Sequence, residues 1–350
     1  MARGYGYSRY SGLPSCSEYA FEMDASRIDV AFAALYFIVT LVLLILASLR
    51  IGRSKKQGQR VAGAVFLMLS IIFAWFAYIV RIIYITLTEC DVFSYRNAYQ
   101  APVLISWLSG VSEYLLIAAI LTSITRKLQT DFGLVQPAIL TAQKTWAVLI
   151  SLVLIAGLCI TTAWYHYYYG DMYSFGPYMD LRKPQRGLWT TYYSVAAAGM
   201  LLAAATLGKT LSQAPGGLRS RGTTVSIILL VIGALGLTLT NLGSYVQNAY
   251  TYNGRSLFYG SSEYKEYVAK YESASFLASF FYCLAFYAAV RMASQRVNAA
   301  GMASAYAPPP PPPQPPMTFT TGNEGYNSGS TYYHNLGQEQ GYGRSPEYVR

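Results

Sequence analysis

Seven apolar runs of about twenty residues each leave this chain few folds to adopt. They cover positions 28–49, 61–87, 103–125, 146–169, 189–207, 223–245 and 273–290. At 1.5 Å per residue, about twenty helical residues cross the hydrocarbon core of a bilayer. A helix also satisfies its own backbone hydrogen bonds, which lipid cannot do. The spacing therefore predicts an all-α protein, a seven-transmembrane-helix bundle. Composition agrees, with 53% hydrophobic and only 12% charged residues, a balance foreign to soluble domains. The first run is too long for the core of a signal peptide and is expected to stay as the first span.

Three regions follow. Residues 1–27 form an outer N-terminal tail, residues 28–292 the seven-helix membrane domain, and residues 293–350 a disordered cytoplasmic tail rich in Pro, Tyr and Gly. The net charge of +10 does not point to nucleic acid, because the basic residues sit in short connections between apolar runs. That placement suits lipid headgroups and topology. The connection RIGRSKKQGQR carries Arg50, Arg53, Lys55, Lys56 and Arg60. Moving five positive charges across a membrane is disfavoured, so this loop is expected in the cytoplasm, with the N-terminus outside, the C-terminus inside and the plasma membrane as location.

Two charges lie deep within apolar runs: Arg81 in the second and Glu113 in the third. Such charges are costly in lipid and usually face a partner or a wet cavity. In antiparallel neighbouring helices the two sit at depths about 6 Å apart, within an arginine's reach, so a salt bridge is expected. A packing-locked pair, or an Arg81 that snorkels to the headgroups, is the plainer alternative. Asn241 in the sixth run falls in the same outer half and extends the polar set, or simply bonds helix to helix. Together with Tyr78, these residues are the candidate ligand contacts. Small residues at Gly199, Ala203, Ala204 and Gly208 and at Gly233, Gly236 and Gly243 predict close helix packing rather than chemistry.

The outer connections are aromatic, with Tyr165, Tyr167, Tyr168, Tyr169, Tyr173 and Tyr178 after the fourth run. Tyr250, Tyr252, Tyr259, Tyr264, Tyr267 and Tyr271 follow the sixth. An interfacial belt accounts for rings at helix ends, and an aromatic-lined mouth for those further out. Cys16 and Cys90 both fall on the outer side, where a disulfide between them is expected. Cys159 and Cys283 fall in mid-membrane as packing residues. The four cysteines and two histidines show no metal-ligand spacing, and no nucleophile, base and metal combination appears in the spans, so neither a cofactor nor an enzymatic activity is expected.

The tail contains APPPPPPQPPM. The prolines between Pro308 and Pro316 favour a polyproline II helix that a cytoplasmic proline-binding domain can read, or serve as a spacer.

Seven spans with an outside N-terminus resemble the receptor arrangement. Rhodopsin-type motifs are absent: the third run ends in TSITRKL, and SASFLASFFYCLAFYAAV holds neither an Asn-Pro-x-x-Tyr nor a lysine for retinal. Tyr78-x-x-Arg81, and Ala101-Pro102 at the start of the third run, are similar to features of fungal seven-helix membrane proteins, including the lipid-translocating exporter family. The Asp-containing segment of that family has no counterpart here. A receptor-like or sensor protein with an outer-half polar pocket is the first expectation. A lipid or amphiphile translocator, which the resemblance implies, is the second.

Overall fold

The computed structural model describes residues 16, 20–22, 24–56, 61–90, 99–170, 175–213, 221–251 and 262–295. All statements of absence below concern these residues. They form seven long helices: α1 (Asp24–Lys56), α2 (Ala64–Glu89), α3 (Gln100–Asp131), α4 (Pro137–Gly170), α5 (Phe175–Gln213), α6 (Arg221–Thr251) and α7 (Ser262–Ser294). Each is long and apolar enough to cross a membrane. The chain is an all-α, multi-pass membrane protein, as its apolar runs predict.

The helices run past the predicted spans at several ends. Helix hydrogen bonding does not stop where hydrocarbon stops, so hydropathy marks the apolar centre and not the ends. Residues 24–27, expected in the tail, open α1, where Asp24 sits in the first turn and favours the positive end of the helix dipole. The boundary expected at residue 292 falls inside α7, which ends at Ser294. The polyproline run and the rest of the tail lie outside the described residues.

Successive helices pack side by side, and α1 against α7 closes the ring. The outward faces are apolar: Ile38, Val42, Ile45 and Leu49 on α1 and Leu152 and Ile155 on α4 are exposed. In water that surface would promote aggregation; in a bilayer it matches the solvent. The interior is close-packed around Leu67, Ile71, Leu116, Ile117, Tyr192 and Phe286, with buried Thr40, Ser70, Ser112 and Thr161 among them. Small and hydroxyl residues bring lipid-embedded helices together where apolar burial alone supplies no drive.

The small residues do this most closely between α6 and α7. A Cβ on Gly233 would lie 2.6 Å from the backbone nitrogen of Ala285, and one on Gly236 would lie 2.5 Å from the ring of Phe281. Gly199 on α5 likewise accepts the indole of Trp146, which donates to the Val195 carbonyl at 2.9 Å. By contrast, Gly208 and Gly243 meet nothing within 4 Å.

Helix α3 is not uniform. Its residues Ala119–Ile124 form a π-helical turn, buried in the core. Thr125 donates to the Ile120 carbonyl at 2.8 Å across this turn. Gly63, just before α2, approaches it closely. It has φ of +67°, and a Cβ there would lie 2.8 Å from that of Ser123. Only glycine meets both demands without strain. Below the turn, Lys127 donates to the carbonyls of Met292 (3.0 Å), Ala293 (2.7 Å) and Gln295 (2.7 Å) at the end of α7. A cation on the last carbonyls suits the negative end of a helix dipole.

Candidate functional site

A cavity of about 310 Å³ lies among α2, α3, α5, α6 and α7. Helical periodicity gathers its walls. On α2 the lining residues are Ala74, Ala77, Tyr78 and Arg81; on α3 they are Ile105, Ser109, Ser112 and Glu113. Steps of three and four place each set on one helix face. Asn241, Ser244 and Tyr245 of α6 and Tyr193 of α5 complete one side, and α7 contributes residues from Tyr271 to Tyr282. The space exists because Ala74, Ala77, Ser109, Ala274, Ser275 and Ala278 are small.

All four candidate ligand contacts, Tyr78, Arg81, Glu113 and Asn241, line this cavity. The expected Arg81–Glu113 salt bridge is not formed. Arg81 is paired instead with Asp29 of α1, and its other terminal nitrogen donates to the Ser275 hydroxyl at 3.3 Å. Glu113 accepts from the Tyr193 hydroxyl at 3.3 Å and from the Asn241 amide at 3.4 Å to each oxygen. Rise per residue fixes the depth of a side chain and leaves its direction around the axis open. Arg81 points between α1 and α7, and Glu113 between α5 and α6.

Asp29 is the functional candidate that sequence reasoning missed. It lies near the start of the first run, where a carboxylate reads as a headgroup contact. The available signal was Arg81 itself, since a buried guanidinium calls for an acidic partner. Glu272 is a second such residue: the predicted run at 273 places this carboxylate in the outer connection, whereas α7 begins well before it, at Ser262. It sits close enough to interact with both Asp29 and Arg81.

Tyr78 donates to the Ser279 hydroxyl at 2.8 Å and stacks on Tyr36, with ring centroids 5.9 Å apart. At the inner end of the cavity the Tyr282 hydroxyl bonds to Ser70 (2.7 Å) and Ser112 (2.8 Å). Those serines also cross-bond α2 and α3, each donating to the other's carbonyl, at 2.8 and 2.9 Å. The side wall is aromatic: Tyr193 and Tyr245 line it with centroids 5.3 Å apart, and Trp189 stacks on both at 5.8–5.9 Å. Trp189 is anchored by donating to Thr161 at 2.8 Å.

The Cys16–Cys90 disulfide is present. It fastens the segment before α1 to the end of α2, where Glu89 accepts from the Phe21 amide at 3.1 Å and from the Ser26 hydroxyl. Cys283 packs partly buried against the core, and Cys159 is exposed. Of the predicted aromatic mouth, Tyr271 lines the cavity. The side chains of Tyr168, Tyr169, Tyr173, Tyr178, Tyr250, Tyr252, Tyr259 and Tyr264 lie outside the described residues.

Fold and cavity together define a seven-helix integral membrane protein with a polar chamber within the bundle. No family model, curated protein or solved structure matches the chain.

Proposed function

We propose that the protein is a receptor-like sensor that binds a small amphipathic molecule in the cavity and relays its presence to the cytoplasmic tail. The observation that carries this reading is the convergence of Tyr78, Arg81, Glu113 and Asn241, from three helices, on one chamber. A seven-helix bundle gains nothing in packing from leaving that volume empty. Its size is at the low end of small-molecule sites.

The inner end favours sensing over passage. The Ser70–Ser112–Tyr282 knot bonds three helices there, and Leu67, Leu116, Ile117 and Ile120 are fully buried in the core. Helix α3 also supplies a mechanical link. It carries Glu113 at the cavity and Lys127 on the final carbonyls of α7, from which the tail leaves. The reading takes the N-terminal face as outside and the plasma membrane as the location. The five basic residues between Arg50 and Arg60 support that orientation, as does a disulfide that needs an oxidising compartment. Prolines between Pro308 and Pro316 then serve as a dock for a cytoplasmic proline-binding domain. The role is one of binding, with no catalytic step.

Translocation of a lipid or amphiphile is the competing reading, implied by Tyr78-x-x-Arg81 and Ala101-Pro102. Vesicles holding the purified full chain and a fluorescent phospholipid separate the two. A sensor leaves the lipid's rate of leaflet exchange at the protein-free value. Exchange that is accelerated, and is abolished by Ala278→Trp in the cavity wall, would replace sensing with translocation.

A further inference from the structure

The guanidinium and the carboxyl group that line the cavity, Arg81 and Glu113, are not equivalent. Arg81 is committed: Asp29 holds one end of its guanidinium, Ser275 the other, and Glu272 lies close by. An anion entering the cavity would have to displace Asp29 and then face Glu272. Glu113 has no cation beside it among the described residues; it is met only by the hydroxyl of Tyr193 and the amide of Asn241. One Glu272 oxygen is also buried and accepts no hydrogen bond. A carboxylate kept from water gains most from a counter-charge brought to it. The wall next to Glu113 includes Tyr193 and Tyr245, two rings tilted at 31° with centroids 5.3 Å apart, and aromatic surface favours a cation and an apolar body alike.

We infer that the cavity takes a small monocationic amphiphile, a protonated alkyl- or arylalkylamine, whose ammonium pairs with Glu113 and whose body lies along Tyr193 and Tyr245. The inference rests on reading the cavity as a ligand site, and it adds the ligand's charge. A cavity of about 310 Å³ accepts one such body and is too small to enclose a two-chain lipid.

Matched probes test the charge. Phenethyl, indolylethyl and octyl bodies, each carrying an amine, an N-acetylated amine or a carboxylate, are titrated against the purified full chain in nanodiscs by calorimetry. On at least one body the amine is expected to bind tenfold or more tightly than its amide and carboxylate partners. Glu113→Gln is expected to erase that tenfold preference, and Asp29→Asn, by releasing Arg81, to strengthen carboxylate binding severalfold. An amide or carboxylate that binds the unaltered chain as well as the amine overturns the proposal. So does an amine preference that survives Glu113→Gln. If Glu113→Gln does not fold, the nine probes on the unaltered chain and on Asp29→Asn decide between these outcomes. Ala278→Leu, which fills the chamber, separates the two readings. Neutral or anionic binding lost in that variant keeps the site and discards its charge, whereas no saturable binding by any probe discards both.

Discussion

Arg81 and Glu113 line one cavity without pairing: the guanidinium is held by Asp29 of α1, and the carboxylate by Tyr193 of α5 and Asn241 of α6. Two polar networks thus divide the chamber, one tying α1, α2 and α7 together and the other α3, α5 and α6.

The first network predicts a specific pattern of rescue. Asp29→Asn leaves a guanidinium without its partner, and removing one member of a fully buried pair costs about 3–5 kcal/mol. The two side chains keep 23% and 24% of their exposure, so a smaller loss of about 1–3 kcal/mol is expected here. Exchanging the charges, Asp29→Arg with Arg81→Asp, should recover about half of the loss of either single change, measured as thermal unfolding in detergent. Exchange between Arg81 and Glu113 should recover none. Rescue by that second exchange, with none by the first, would show the pairing to be wrong.

The α6–α7 seam should be intolerant of a single methyl group. Gly233→Ala places a Cβ against the Ala285 backbone, which no side-chain rotation can relieve, so the helices must separate at a cost of about 1–3 kcal/mol. Gly243→Ala, on the same helix with open space around it, should be neutral or slightly stabilising. Equal melting temperatures for the two variants would contradict this packing.

Tyr282→Phe should be mild. It removes one hydroxyl from the Ser70–Ser112 knot while both serines keep their bonds to each other's carbonyl. Membrane hydrogen bonds average about 0.6 kcal/mol in measured cases, so a loss of about 1 kcal/mol or less is expected. Ser112→Leu should cost several times more, because it forces α2 from α3 at a position with almost no accessible surface. A Tyr282→Phe variant that unfolds outright would make the knot the main support of the bundle.

These residues also separate what the sequence discloses from what it hides. Span number, helical class and the relative depths of Tyr78, Arg81, Glu113 and Asn241 follow from run length and rise per residue, and all four side chains do meet one chamber. Pairing does not follow, because hydropathy carries no azimuth for a helix that is apolar on most sides. Arg81 found Asp29 for that reason. Ser70, Ser112 and Tyr282 were equally hidden: a lone serine in an apolar run is common, and only the crossing of α2, α3 and α7 makes two serines and a tyrosine a knot. The π-helical turn at Ala119–Ile124 left no mark that composition could reveal, since its residues include no proline or glycine.

Lys127 gives a test of how the end of α7 is anchored. Lys127→Met keeps an unbranched side chain, one atom shorter, and takes the donor from three carbonyls, so the last turn of α7 should fray. Hydrogen exchange of the amides at 290–294 should quicken about tenfold, while those near Tyr282 stay protected. Lys127→Arg should give an intermediate value, because a planar fork reaches three converging carbonyls less well than an ammonium. Unchanged exchange in Lys127→Met would leave the end of α7 anchored by something else.

The disulfide between Cys16 and Cys90 spans 74 residues and encloses the whole first helical hairpin. Its two sulfurs share a side of the membrane only when α1 and α2 have both crossed, or when neither has. In a cell with a reducing cytoplasm the second case yields thiols. A chain in which α2 crosses alone holds its cysteines on opposite sides and cannot join them. In the proposed orientation the bond is therefore a chemical record of biogenesis: a molecule that carries it holds both ends of its first helical hairpin on one oxidising side of the membrane.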